Sequence, residues 1–369
     1  MSRRPRLLVD LLSYTGTKGG METYTQQLYR TFGEMDTGLE IVGLASKEGG
    51  RRDLSWFPGE VIRSRISGEN RFVWAAGELL ATGWVAGRRG ADLLHSPATL
   101  GPWRTQMPAV LTIHDTLYWS HPELMSTPLY TGPVKWMETR AARNAAHVIT
   151  DSEAAAVDIR KYLHVPDDRL HVVPLAATPV PARASDGRPT GEVLLLASGQ
   201  RRPHKNWEGL IEAIALLPAP ERPRLVITGG RGDDPLRAVV ERLGVADTVE
   251  LRGWVDEDEL AALYRAATAM VLPSFVEGFG LPVLEALQAG VPVLCSDIAA
   301  HREIAGEAAV WFDPHDVASI AAAVRVAVTD PGRMARLRVE GRERARLFSW
   351  QRVADSTLEV FRTALAGGS

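Results

Sequence analysis

Short apolar runs alternate with segments of helical period along nearly the whole of this 369-residue chain. That alternation restricts it to strands joined by helical crossovers, the pattern of parallel sheets in an α/β protein. In the first half the runs fall at residues 6–12, 40–45, 91–95, 109–113, 147–150 and 170–174. In the second they fall at 192–197, 224–228, 248–251, 269–272, 291–295 and 309–312. Several lead straight into glycine or polar residues, which is where open α/β sheets carry their ligand loops.

Between the two series lies a stretch rich in Pro, Gly and small residues, without apolar period, which predicts a linker over 177–191. The length is more than one core holds comfortably, so two domains are expected, 1–176 and 192–348, with a cleft between them. Val353, Leu358, Phe361 and Leu365 have helical spacing and predict a closing helix within 349–369.

Composition narrows the function. Apolar residues make up 45% and charged residues 24%, the balance of a globular protein. Of the charges that sum to −3, residues 1–176 carry 20 basic and 19 acidic side chains and the rest 22 and 26, so neither half is built for nucleic acid. The single cysteine, Cys295, excludes an intrachain disulfide and suits a reducing cytoplasm; its apolar neighbours predict a buried thiol. Asp10 interrupts an N-terminal apolar run already too short for a signal peptide core. The longest apolar stretch, residues 72–87, contains Glu78 and falls short of a membrane span. Peripheral contact with the inner face of a membrane is compatible with this pattern. Residues 71–89 mix aromatic and basic side chains, and a core-facing helix with basic ends is favoured there over an interfacial one.

The most informative segment is Pro273-Ser-Phe-Val-Glu-Gly-Phe-Gly-Leu-Pro-Val-Leu-Glu285. Gly278 and Gly280 permit close backbone approach and Pro282 suits a first helical turn, so a ligand can meet a helix N-terminus at Phe279 and Leu281. Glu277 in the loop and Glu285 in the helix can both accept from the vicinal hydroxyls of a sugar nucleotide. A second loop, Ser198-Gly-Gln-Arg-Arg-Pro-His-Lys-Asn206, places Gly199, Arg201, Arg202, Lys205 and Asn206 directly after a strand. Cations there can stabilise negative charge developing on a departing diphosphate. In the first half, Gly19 and Gly20 end a loop that opens a helix, so their amides can approach a phosphate. His114 ends the strand 109–113, with Tyr118 and Trp119 just beyond it. No metal-ligand spacing, P-loop or dinucleotide fingerprint is present, so no metal or cofactor is expected.

Glu277-Gly-Phe-Gly-Leu-Pro-Val-Leu-Glu285 resembles the Glu-x7-Glu motif of retaining GT-B glycosyltransferases of family 4, and the similarity covers nearly the whole chain. The resemblance implies two Rossmann-like domains and a final helix that crosses back to the first. It also implies a nucleotide-diphosphate sugar as donor, with Glu277 on the donor sugar, Glu285 on the ribose, Lys205 on the phosphates and His114 on the transferred sugar. The family carries an arginine a few residues before that lysine or directly before it; here His204 holds the preceding place and Arg201 and Arg202 lie upstream, which leaves open which of the two reaches the diphosphate. Val148-Ile-Thr-Asp-Ser152, Ser296-Asp297 and Glu303 are further matches that add no chemistry. Acceptor selection is expected from residues 14–20, Trp103, Arg104, Tyr118 and Trp119, for a saccharide or a lipid-linked glycan. Three rivals stand beside transfer: a glycoside hydrolase using Glu277 and Glu285, a nucleotide-sugar epimerase, and a non-catalytic nucleotide-sugar-binding partner.

Overall fold

The structure, a computed structural model, describes residues 3–16, 19–125, 128–178 and 193–367. From residue 179 onward the expected linker lies outside the described residues. The chain divides into two compact units, one of Met1–Ala176 with Phe348–Ser369 and one of Ala177–Leu347.

In the first unit seven strands, β1 (Arg6–Leu11), β2 (Glu40–Ala45), β3 (Glu60–Arg63), β4 (Leu93–Ser96), β5 (Ala109–Thr112), β6 (His147–Thr150) and β7 (Leu170–Val172), form one parallel sheet in the order β3-β2-β1-β4-β5-β6-β7. The helices are α1 (Gly20–Gly33), α2 (Arg71–Ala76), α3 (Thr82–Arg88), α4 (Leu117–Ser120), α5 (Pro128–Asn144) and α6 (Glu153–Asp158). Strand β1 is buried almost throughout, because helices cover both faces of a parallel sheet. The strand order reverses between β1 and β4, so the crevice beyond their carboxyl ends is where such a sheet takes a ligand. Strand β3 was not expected from the sequence. Only two of its four residues are apolar, and as an edge strand it is half exposed.

The second unit repeats the plan. Strands β8 (Leu194–Ser198), β9 (Arg224–Gly230), β10 (Val249–Gly253), β11 (Ala269–Leu272), β12 (Val293–Ser296) and β13 (Ala309–Phe312) run parallel in the order β10-β9-β8-β11-β12-β13. They are covered by α7 (Trp207–Leu216), α8 (Leu236–Leu243), α9 (Glu257–Ala266), α10 (Leu281–Ala289), α11 (Ala299–Ala305), α12 (Val317–Thr329) and α13 (Pro331–Ala345). Here the switch point lies between β8 and β11. Cys295 is fully buried on β12, and burial pushes its thiol up from the ordinary value.

The last helix, α14 (Trp350–Gly367), packs within the first unit: the Phe361 ring meets Phe32 of α1 at 6.1 Å and His95 of β4 at 5.0 Å. One expectation is overturned. The helical stretch Arg71–Arg88 does not turn its apolar residues uniformly to the core, for Phe72, Leu80 and Trp84 point outward while Glu78 is buried.

Candidate active site

In the second unit the two loops singled out in the sequence follow β8 and β11, which are neighbours in the sheet, so topology alone brings their residues together at the switch point. The Phe275 amide donates to the His204 carbonyl at 2.8 Å and ties one loop to the other. Lys205 Nζ then reaches Glu277 Oε1 at 2.7 Å, with both side chains largely buried. Ser274 Oγ donates to the same carboxylate oxygen at 2.6 Å. Burial would raise Glu277, but the Lys205 ammonium, the nearby His301 and the Ser274 hydroxyl outweigh it and hold the carboxyl down at about 2. It is therefore an anion at any physiological pH.

Glu285 sits one turn into α10 and accepts from the Tyr264 hydroxyl at 2.9 Å; burial raises it from the ordinary carboxylate value, against that hydrogen bond. The start of α10 has no side-chain cap; Pro282 carries no N–H and the Val283 amide donates to the Gly280 carbonyl at 2.9 Å, so the helix meets the loop of Gly278, Phe279 and Gly280 with its positive dipole end. Gly280 has φ 103°, and a Cβ there would come within 3.0 Å of the buried His301 ring, so glycine is required on both counts.

The two arginines of the β8 loop separate. Arg201 Nε donates to Asp234 at 2.9 Å, and its terminal nitrogens donate to the carbonyls of Gly199, Thr228, Ile227 and Arg252. Every nitrogen of this buried guanidinium is engaged by the protein, so Arg201 staples the loop to β9 and β10. Arg202 is exposed and bonds only Gln200, at 3.3 Å, among the described residues. Asn206 adopts the left-handed conformation at φ 54° and its side-chain amide donates to the Pro314 carbonyl at 2.8 Å. Ser198 Oγ accepts from Thr228 at 3.0 Å, and Gly199 packs on Trp207. Removing Arg201 strands a buried carboxylate, so Arg201→Ala is expected to cost about 3–5 kcal/mol of stability. Urea unfolding tests this: Asp234→Ala added to Arg201→Ala should recover part of the loss, and an unchanged midpoint in Arg201→Ala would remove the staple from the account.

In the first unit Gly19 takes φ 74° at the cap of α1 and Gly20 begins the helix. The amides of Thr15 and Gly16 donate to Glu22 Oε1 at 2.5 and 3.0 Å, so this carboxylate fixes the start of the glycine loop; Thr17 and Lys18 lie outside the described residues. His114, immediately after the β5 run, is held on both nitrogens: Nδ1 faces Asp151 Oδ2 at 2.7 Å and Nε2 faces the Pro97 carbonyl at 3.0 Å. Burial alone would lower its pKa, but Asp151, the Pro97 carbonyl and Asp115 together raise it above the ordinary histidine value. The Tyr24 ring stands edge-on to it at 5.0 Å. Tyr118 is half-buried on α4. Trp119 donates from its indole to Glu138 at 2.9 Å, stacks on Tyr162 and carries Lys135 over its ring at 5.0 Å. Burial pushes Glu138 up to about 8.

Comparison with known proteins decides the family. Residues 181–344 match the family model described as glycosyl transferases group 1, and residues 18–177 match that of glycosyltransferase family 4. The O-antigen chain mannosyltransferase B of Escherichia coli is 32% identical over 286 residues, covering 73% of this chain and 74% of its own. The chain belongs to the GT-B glycosyltransferases of family 4. Among solved structures, sucrose-phosphate synthase from Thermosynechococcus elongatus superposes with a TM-score of 0.81 at 22% identity, covering 99% of this chain and 100% of its own. Anabaena HepE, solved in complex with UDP and glucose, gives 0.75 at 17% identity, covering 98% and 100%. Both share the fold. Glycosyl transfer is accordingly the reaction class of this family-4 enzyme.

Four partners in this glycosyltransferase were not singled out from its sequence: Asp151 on His114, Ser274 on Glu277, Tyr264 on Glu285 and Asp234 on Arg201. Asp151 lay inside a stretch already noted, and a buried carboxylate at a strand end one strand over from a histidine is a signal that strand register could have supplied.

Proposed function

We propose that this enzyme is a retaining, metal-independent glycosyltransferase moving a hexose from a nucleotide-diphosphate donor to a saccharide or lipid-linked glycan. The observation that carries the reading is the buried Lys205–Glu277 pair at 2.7 Å, set beside the uncapped start of α10 at the switch point of the second sheet. A cation fixed against a carboxylate, beside the positive dipole end of a helix, offers phosphate and sugar hydroxyls their complements together. The mannosyltransferase relative and the glucose and UDP bound in HepE favour a hexose and a nucleotide donor.

The second unit carries the donor in this reading, with Glu277 on the sugar, Glu285 on the ribose, and Lys205, Asn206 and the loops of Ser198 and Gly278 around the phosphates. Arg202 is assigned the diphosphate in place of Arg201, whose nitrogens are taken. The first unit selects the acceptor, and His114, Gly19, Gly20 and Tyr118 contribute from that side. Trp119 stiffens the acceptor side through Glu138. In the reaction the bond from the anomeric carbon to the β-phosphate oxygen breaks while the acceptor oxygen attacks the same face. The acceptor proton passes to the departing phosphate, and Lys205 and Arg202 stabilise the charge left on it. This course requires no covalent enzyme nucleophile, and Lys205 and Ser274, both on Oε1 of Glu277, lower the basicity of that carboxylate.

Calorimetry of the full chain against UDP, GDP, dTDP and ADP and their sugars, with EDTA present, tests the donor assignment. One nucleotide should bind selectively, and Arg202→Ala should weaken it by about tenfold, the effect of one charge-assisted contact. Binding of none, or only when a divalent ion replaces EDTA, would refute a metal-free donor site.

A further inference from the structure

The segment Arg71–Arg88 of the first unit is amphipathic with its polarity reversed. Its inner side buries Glu78, which accepts from the Trp74 indole, and Thr82, which donates toward Asp10 at 3.3 Å and the Gly77 carbonyl at 3.2 Å. Its outer side leaves Phe72 70%, Leu80 67% and Trp84 62% exposed, and Val73 43%. Phe72, Val73, Ala76, Leu80 and Trp84 are exposed in turn along the segment, through the π-helical turn Gly77–Ala81, so its outer side is apolar along most of its length. A stripe of this kind signals a surface meant to be covered, whereas singly scattered apolar residues would not.

The stripe continues beyond the helix. The Trp103 amide donates to the Leu79 carbonyl at 2.8 Å, and Gly83 lies against the Arg104 backbone. Trp136 of α5, itself half-exposed, meets the Trp103 ring edge-on at 4.9 Å, with the Arg140 guanidinium 5.5 Å from that ring. Arg88 lies 4.9 Å over the Trp84 ring. Arg71, Arg88, Arg104 and Arg143 are exposed around this border and form no ion pair among the described residues. The exposed acid on the segment, Glu69, precedes the helix, and Glu78 is turned inward.

We infer that this face is a docking surface for an anionic lipid membrane. Tryptophan rings bordered by guanidinium groups match the boundary between headgroups and acyl chains, where indoles settle and arginine stems lie along apolar surface with their charges among phosphates. A second copy of the chain fits less well, since a two-fold contact sets the same arginines against one another. The attachment is peripheral: among the described residues no helix is long and apolar enough to cross a membrane.

Co-sedimentation of the full chain with vesicles tests this. The protein is expected to bind vesicles of phosphatidylcholine mixed with phosphatidylglycerol, more weakly as salt rises, and to bind phosphatidylcholine alone poorly. Phe72→Ser, Leu80→Ser and Trp84→Ser together should reduce binding at least about tenfold. Far-UV circular dichroism and nucleotide affinity should match the parent. Arg88→Glu with Arg143→Glu, on exposed side chains whose replacement leaves the core untouched, should abolish the preference for anionic lipid. No binding to the mixed vesicles at low salt would overturn the inference. So would undiminished binding by both variants, or a dimer in sedimentation velocity that the triple variant dissolves.

Discussion

Lys205→Ala is expected to lower kcat by about 10²–10³-fold, the usual cost of removing one preorganised group that meets charge developing in the transition state. Two effects combine in that variant and can be separated. The first is chemical: the departing phosphate loses a fixed cation. The second is structural, because Glu277 is left buried with its Ser274 hydrogen bond but without its countercharge, a change that costs about 3–5 kcal/mol when a buried pair is broken from one side. Lys205→Ala combined with Glu277→Gln removes the stranded charge, so stability should partly return while transfer stays lost.

The acid side gives an independent readout of the same pair. Glu277 is held at about 2, below its ordinary value, so its contribution to stability is complete above the ordinary carboxylate range and disappears as pH falls toward 2. Without Lys205, burial is opposed only by His301 and Ser274, and the carboxyl takes up its proton at higher pH. The acid-unfolding midpoint of Lys205→Ala should therefore move upward. A kcat within a few-fold of the parent, in a folded variant that still binds nucleotide, would show that Lys205 does not meet the leaving group.

The alternation of apolar runs and helical segments made both sheets legible, because a parallel strand buried on two faces must be apolar at nearly every position, as β11 is. Strand β3 escaped because an edge strand with charged ends shows no such run. The loops after β8 and β11 were legible as loops, and their meeting follows from strand order, which no local pattern contains. Sequence spacing could not divide Arg201 from Arg202, since they are adjacent and alike. The difference between them is that β9 and β10 present carbonyls and Asp234 to one and solvent to the other. The outward stripe of Phe72, Leu80 and Trp84 was obscured for a related reason: composition gives a helix's residues, and only packing shows that Glu78 takes the inner side.

Asp151→Asn is expected to reduce kcat/KM at neutral pH by roughly 10–100-fold, the value of a hydrogen bond to a charged group, with His114 as the residue that feels the change. Both nitrogens of His114 face acceptors, so the ring donates twice only when the proton between Nδ1 and Asp151 is present. Burial opposes that charge, Asp151 outweighs it, and the Pro97 carbonyl and Asp115 add to the raised value. The Tyr24 ring stands edge-on to His114, and the nearby charge of His95 is absent because burial holds that histidine at about 3. The pair titrates as a unit.

The sign follows from the raised value. The stabilisation of His114 is complete below the ordinary histidine pKa and is lost as pH rises through the raised one, so the parent should lose activity on an alkaline limb above 6.5. In Asp151→Asn the amide accepts at one atom but supplies no charge, burial regains control, and the limb moves to lower pH. His114 is then a fixed donor rather than a base, in keeping with a reaction in which the leaving phosphate takes the acceptor proton. Nitrogen-15 spectra of the imidazole provide the check without turnover: at pH 6.5 the parent should show both nitrogens mostly protonated, and Asp151→Asn a larger share of a single neutral tautomer. A neutral ring in the parent, or an alkaline limb that stays in place in a folded Asp151→Asn, would return His114 to candidacy as the general base.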